Sequence, residues 1–384
     1  MTSNYASHDV ARVDQPDGSI LLTSNTALAA VATRTTDWLD HWAKTTPNAI
    51  LVAERSGAGW REVTYSEARE IALGIAASLL DRNVSATRPI LIISGNSVDH
   101  ALLTLAAQYI GVPTVPVAEQ YALIPAANGQ LDYVAALTTP GMVYAQDGDV
   151  LADVLTRPAF ADADIVVSHG GKATYTTLAD LAQGRGDVSS VTATVGPDTV
   201  AKILMTSGST SSPKGVQTTH RMMCTNQTQL AQTLPFVTQK PPVIVDWLPW
   251  NHVFGGSHNF NLMLANGGAH YIDNGKPAPG LFEKSVESLR LKTGTIAFNV
   301  PVGFAKLRDV MKEDTALRDA YFRDLDMLFY AGASLPQDVW TDLENMARDV
   351  RGDVPLFTSS WGLTETAPAS LFQYQTTNHT LNCG

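Results

Sequence analysis

The sequence predicts an α/β protein made of two tandem layered lobes with largely parallel sheets. Three observations carry this. Short apolar runs alternate with longer stretches of helical period from Ile90 to Ala182, and the alternation resumes from Val200 to Thr358. A polar, Gly-rich stretch at 184–196 separates the two series. The 384 residues are 45% hydrophobic and 16% charged, a globular composition with enough chain for two or three domain-sized units. The expected organisation is a tail or irregular cap over 1–35, a first α/β subdomain over 36–190 and a second over 191–384.

In chain order, Thr36–Lys44 places Trp38, Leu39 and Trp42 on one side of a short helix that Pro47 ends. Ile50–Arg55 and Trp60–Thr64 form a hairpin across Gly57-Ala58-Gly59. Thr64 and Glu67 match a capping box that opens a helix over Ala68–Leu80. The first alternation then sets strands at Ile90–Ile93, Thr114–Val117, Met142–Ala145 and Asp164–Val167. Helices fall at Ser97–Tyr109, Ile124–Leu137, Asp149–Leu155 and Thr176–Ala182. The second sets strands at Val200–Met205, Val243–Leu248, Ala269–Ile272, Thr295–Phe298, Met327–Tyr330 and Leu356–Thr358. Its helices are Thr218–Leu234, Leu281–Leu291, Val302–Lys312 and Pro336–Val350. Ligands in such folds sit at the C-terminal ends of the strands.

The net charge of −11 argues against non-specific nucleic-acid binding, which needs a basic surface, but leaves room for a nucleotide on a local patch. The two cysteines, Cys224 and Cys383, give neither a disulfide framework nor a metal cluster and suit a reducing compartment. The N-terminus has no apolar core, so it is not a secretory signal. The most apolar stretch, Ala101–Val117, contains Thr104, Gln108, Gly111 and Pro113 and falls short of a membrane span. The expectation is a cytoplasmic protein that acts on small molecules, with neither nucleic acid nor membrane as partner.

Four stretches can carry chemistry. Met205–Val216 reads MTSGSTSSPKGV between an expected strand and an expected helix. Gly208 and Gly215 bring backbone N–H groups close to an anion, Ser207, Ser209, Thr210, Ser211 and Ser212 add hydroxyls, and Lys214 adds a charge. The Lys follows Pro213 and precedes Gly215, so this is not a Walker A loop; a plain Ser/Gly/Pro surface loop is the other reading. Asp246–Asn259 reads DWLPWNHVFGGSHN and puts His252 and Phe254 after a strand; a zinc site with His258 is rejected, since no carboxylate or Cys accompanies the pair. Tyr330–Pro336, YAGASLP, follows a strand with Ala331, Gly332 and Ala333, small enough for a flat ring to approach the backbone, and Ser334 near the helix cap. Thr358–Pro368, TSSWGLTETAP, sets Thr364 beside Glu365, a carboxylate suited to Mg²⁺ or merely an exposed helix start. Phe298–Phe304, FNVPVGF, is in addition either core packing or a pocket wall.

The loop with its Pro-Lys-Gly end, the YAGASLP segment and W-G-L-T-E-T occur together and in order, and on them the chain resembles the adenylate-forming superfamily of acyl- and aryl-CoA synthetases. The resemblance runs from Trp38 to Ser370, with Ser211 where the family usually has Gly. It implies the large N-terminal domain of the adenylate-forming fold, with ATP held by Thr206, Ser207, Gly208, Ser209, Thr210, Lys214, Gly332, Ala333, Ser334, Trp361, Gly362 and Thr364. It implies Mg²⁺ on Glu365, and catalytic roles for Lys214, His252, Thr364 and Glu365. The acid would meet His252, Phe254, Asn299, Val300, Pro301, Tyr330, Gly332, Gly362 and Leu363. DWLPWNHVFGGSHNFNLMLANGG and LFYAGASLPQDVW look most like feruloyl-CoA synthetases, which implies ferulate, ATP and CoA as substrates and a homodimer by analogy. Another aryl or medium-chain acid, or a non-catalytic nucleotide- or acid-binding module, are the alternatives. The family continues with a ribose-binding Asp, a hinge and a small domain carrying a catalytic Lys, motifs not found in these 384 residues. The chain is therefore expected to be an N-terminal fragment, truncated and poorly active alone.

Overall fold

The computed structural model describes residues 6, 9–206 and 213–373. It opens with an antiparallel ribbon, β1 (Val10–Asp14) and β2 (Ile20–Ser24), where an irregular cap was expected. Every residue of β2 is exposed, so no buried face writes a period of two into the sequence. The turn is made by Asp17, whose carboxylate accepts from the Ser19 N–H and hydroxyl, and by Gly18 at φ +83°.

Helix α1 (Thr35–Thr45) buries Leu39, and β3 (Ile50–Ser56) pairs with β4 (Gly59–Thr64) as expected. The capping box is present at α2 (Tyr65–Leu79): Thr64 Oγ1 accepts from Glu67 N–H at 3.2 Å and Glu67 Oε2 accepts from Thr64 N–H at 2.9 Å. β5 (Ile90–Ile93) leads to α3 (Val98–Tyr109), capped by Ser97, and then to β6 (Thr114–Val117). The helix expected over 124–137 begins only at Asn128, as α5 (Asn128–Thr138), because Pro125 opens a 3₁₀ turn before it; α4 (Gln120–Leu123) precedes that turn. Next come β7 (Met142–Asp147), α6 (Ala152–Leu155), β8 (Asp164–His169), β9 (Thr176–Thr177), α7 (Leu178–Leu181) and α8 (Ser189–Thr192).

The second half begins with β10 (Val200–Thr206), β11 (Lys214–Thr219), α9 (His220–Thr233), α10 (Phe236–Gln239) and β12 (Val243–Asp246). A π-helical turn at Phe254–Asn259 runs into α11 (Phe260–Ala265), followed by β13 (Ala269–Ile272) and α12 (Phe282–Leu291). The chain continues through β14 (Ile296–Asn299), α13 (Pro301–Glu313), α14 (Thr315–Arg323), β15 (Met327–Tyr330), α15 (Gln337–Arg351), β16 (Leu356–Gly362) and β17 (Ala369–Phe372).

Three larger sheets result, ordered β11-β10-β6-β5-β7-β8-β9, β12-β13-β3-β4 and β14-β15-β16-β17. Pairing is parallel except at β10–β11, β3–β4 and β16–β17. The division expected near residue 190 does not separate the sheets. β10 and β11 complete the first, while β3 and β4 join the second, where Leu51, Val52 and Ala53 are fully buried. The two smaller sheets meet edge to edge, Thr295 N–H donating to the Val243 carbonyl at 2.8 Å. Among the described residues no helix is long and apolar enough to cross a membrane.

Candidate functional site

A strand, not a helix, follows the Ser/Thr/Gly stretch: β11 pairs antiparallel with β10. Thr206 at the end of β10 stands opposite Lys214 at the start of β11; Ser207, Gly208, Ser209, Thr210, Ser211 and Ser212 lie outside the described residues. The helix expected from Thr218 begins only at His220, because Thr219 is its cap: Thr219 Oγ1 accepts from Met222 N–H at 3.3 Å. Val216, Thr218 and Thr219 are β-branched and fit the strand that precedes it. Lys214 is exposed, and its strand packs against the 3₁₀ turn Thr364–Thr366. Two motifs about 150 positions apart in the chain are thereby joined.

The parallel strands β14, β15 and β16 are in register at their ends, Asn299 opposite Tyr330 and Tyr330 opposite Ser359. Val300–Pro301 and Ala331–Ser334 therefore leave β14 and β15 at the same end of one sheet, where β16 runs on through Trp361 and Gly362 into Leu363–Glu365. Gly332 has φ +89°, and the nearest atom to the place a Cβ would take is Val300 Cγ1 at 4.0 Å. Glycine is needed there for conformation, and the space above it is open. Ala333 and Ser334 are exposed, but the cap of α15 is Pro336, not Ser334. Tyr330 is a correction: it is fully buried, its ring packs on Trp340 at 6.2 Å, and its side chain belongs to the core instead of a substrate surface. Trp361 and Leu363 are exposed. Gly362 is packed so tightly that a Cβ would lie 1.7 Å from the Pro368 carbonyl oxygen. Thr364 is half-buried; the turn itself is closed by Thr366, whose Oγ1 accepts from Leu363 N–H at 2.9 Å.

Glu365 is exposed and pairs with no cation among the described residues. No group of three His, Cys, Asp or Glu side chains among them could hold a metal unaided. A free carboxylate on a turn packed against β11 fits Mg²⁺, which takes one or two carboxylates and completes its shell with other oxygens and water.

A wall of aromatic residues stands beside this edge. The Phe254 ring lies 5.8 Å from Phe298 and 5.3 Å from Phe329, and the His258 ring lies 5.5 and 5.7 Å from the same two. Gly255 and Gly256 permit the π turn: a Cβ would meet the Leu248 carbonyl oxygen at 2.3 Å or the Trp250 carbonyl oxygen at 2.2 Å. His252 sits on the outside of this turn, its Nδ1 accepting from Phe254 N–H at 3.2 Å, and partial enclosure lowers its pKa. His258 is buried, and desolvation pushes it down to about 4, so it is neutral. Asn299 is a brace: its Oδ1 accepts from Trp247 Nε1 at 3.1 Å and from Val300 N–H at 2.9 Å. Val300 caps α13 and Pro301 is its first residue, both half-buried.

Sequence reasoning gave no role to Asp246, yet it ties the turn before the wall to the wall itself. Its Oδ1 accepts from Leu248 N–H at 3.0 Å and its Oδ2 from Asn259 Nδ2 at 2.8 Å. Burial, with nearby Asp273 adding, pushes its pKa up to about 7 despite these bonds. An unfolded Asp titrates near ~3.9. As pH rises from about 4 to about 7, the unfolded chain has released this proton while the folded chain still holds it, so folding stability falls across that window. Asp246→Asn does not titrate. Its Tm relative to wild type is therefore expected to rise from pH 4 to pH 7 and then level off; a difference independent of pH contradicts the assignment.

The match to known proteins agrees with this geometry. The model of the family described as AMP-binding enzyme matches residues 39–384. The chain is 24% identical over 316 residues to luciferin 4-monooxygenase of Photinus pyralis, covering 80% of this chain and 54% of that protein. It is 25% identical over 245 residues to 3-[(3aS,4S,7aS)-7a-methyl-1,5-dioxo-octahydro-1H-inden-4-yl]propanoyl:CoA ligase of Rhodococcus jostii (strain RHA1), covering 58% of this chain and 46% of that protein. The chain thus spans about half the length of these curated relatives. A benzoate CoA ligase from Burkholderia xenovorans LB400 shares the fold at a TM-score of 0.70 and 17% identity, over 89% of this chain and 65% of that one. With its α/β fold and a family match over residues 39–384, the chain belongs to the AMP-binding enzyme family.

Proposed function

We propose that this protein activates a carboxylic acid with ATP, giving an acyl-adenylate and pyrophosphate, and that the acyl group then passes to CoA with release of AMP. The observation that supports this reading most is the packing of the Lys214 strand against the turn bearing Thr364 and Glu365, beside the strand ends that carry Gly332 and the aromatic wall. The first step brings two anions together, so it needs positive charge and N–H donors at the phosphates. Lys214 supplies the charge, Thr206 and Thr364 supply hydroxyls, and Ala331–Ser334 with Trp361 and Gly362 offer a flat surface for adenine. Glu365 would hold Mg²⁺, which when bound neutralises phosphate charge. Phe254 and His252 form the acid's side of the site with Val300, Pro301 and Leu363, and Asn299 holds that side in shape.

We further propose an aryl acid, with a hydroxycinnamate such as ferulate as the substrate. Its ring would meet the half-buried Phe254, which packs over the buried Phe298 and Phe329 beside the neutral, buried His258. A panel of ferulate, benzoate and straight-chain acids, each assayed for acid-dependent pyrophosphate release from MgATP, tests this. Ferulate is expected to give the highest kcat/KM. A straight-chain acid that outperforms every aryl acid discards the substrate and keeps the reaction; binding of ATP or ferulate without release, even when the family's small C-terminal domain is supplied, favours a binding module of the same fold.

A further inference from the structure

Three successive carbonyls of the π turn are held by side chains from distant parts of the chain. Lys202 Nζ donates to the Gly256 carbonyl. Gln227 Nε2 donates to the carbonyls of Ser257 at 3.5 Å and His258 at 3.3 Å. A π turn widens the backbone ladder, and Phe260 N–H reaches the Gly255 carbonyl five residues back. A carbonyl oxygen has two lone pairs, and in a buried turn a side-chain donor satisfies one that water cannot reach.

Lys202 is an unusual donor. It lies in the middle of the apolar strand VAKILMT, 5% exposed, and forms no ion pair among the described residues. Thr114 and Thr218 stand beside it on the flanking strands, both fully buried. Burial lowers its pKa to about 8. An amine buried without a counter-charge carries a desolvation cost, and the bond it makes there is to the aromatic wall. Gln227 is on α9, which follows β11 directly. Both donors therefore sit on the unit of β10, loop, β11 and α9 that carries Thr206 and Lys214.

We propose that Lys202 is a positioning residue which, with Gln227, clamps the aromatic wall onto the phosphate-loop hairpin and thereby sets affinity for the acid. The assignment of acid affinity rests on the reading of that wall as the acid's; the clamp itself does not. The test uses Lys202→Met, close in length but without the donor, and Gln227→Leu, which removes the other donor and serves alone if the first variant does not fold. Amide hydrogen exchange is followed over 254–259 and over β5 and β7, with equilibrium binding of ferulate and of ATP.

Exchange at 254–259 is expected to accelerate about tenfold or more while β5 and β7 stay protected, ferulate Kd to rise about tenfold, and ATP Kd to stay within about twofold. Unchanged exchange at 254–259, or equal loosening of all three segments, overturns the clamp. Ferulate and ATP affinities that fall together overturn its assignment to the acid. A wild-type chain with no affinity for any carboxylic acid contradicts the acid-site reading, and with it that assignment, while the exchange result still judges the clamp.

Discussion

Glu365→Gln is expected to lower acid-dependent pyrophosphate release by about 100-fold or more, with little change in stability. The side chain is exposed, lies on a short 3₁₀ turn and pairs with no cation among the described residues, so its loss removes no folding interaction there. Its charge has an evident use only when a metal and phosphates are present. Gln keeps the shape and one acceptor oxygen but loses the charge, so affinity for Mg²⁺ should fall with the rate. The measurement is release against Mg²⁺ concentration, with Tm as the control. A variant within about threefold of wild type at every Mg²⁺ level removes Glu365 from the site.

Gly362→Ala is expected to be the more disruptive change at the same turn, damaging both packing and chemistry. A Cβ at Gly362 would sit 1.7 Å from the Pro368 oxygen and 2.6 Å from its carbonyl carbon, backbone atoms that cannot rotate away. β16 and β17 must separate to admit it, at about 1–3 kcal/mol for overpacking. The turn between them carries Thr364 and Glu365, and a displacement near 1 Å at a catalytic group can cost about 100-fold. Gly332→Ala is the contrast: the space there is open, so its cost is the positive φ alone, about 1–2 kcal/mol. Thermal melts and pyrophosphate release on both variants check this. Equal effects at the two positions contradict it.

The fold was legible wherever burial writes a period into the chain. β5, β6, β13 and β15 fall on their expected bounds because all are short apolar runs. The Thr64–Glu67 box was readable because it is local, while Ser97, expected as the first helical residue, is the cap before α3. β11 was not: KGVQTT holds a glycine, polar ends and one apolar residue without alternation, and it gains its strand only by pairing with β10. Nor was the ribbon at 10–24, whose faces are both wet. At the site, motif residues were visible but their directions were not. Tyr330 and Gly332 are two apart, yet one faces the core and the other faces open space. Asp246, Gln227 and Lys202 act across long separations, and only a Lys inside an apolar strand hinted at such a contact.

The central claim is that the phosphate-loop hairpin, the strand ends after β14 to β16 and the aromatic wall form one adenylating site. Exchange of labelled pyrophosphate into ATP tests it most directly, because it reports the first half-reaction alone and needs no CoA. The prediction is exchange that requires a carboxylic acid, saturates with it, and is lost in Glu365→Gln. Exchange that proceeds equally without acid, or an absence of exchange with every acid while ATP binds and the family's small C-terminal domain is supplied, would contradict it.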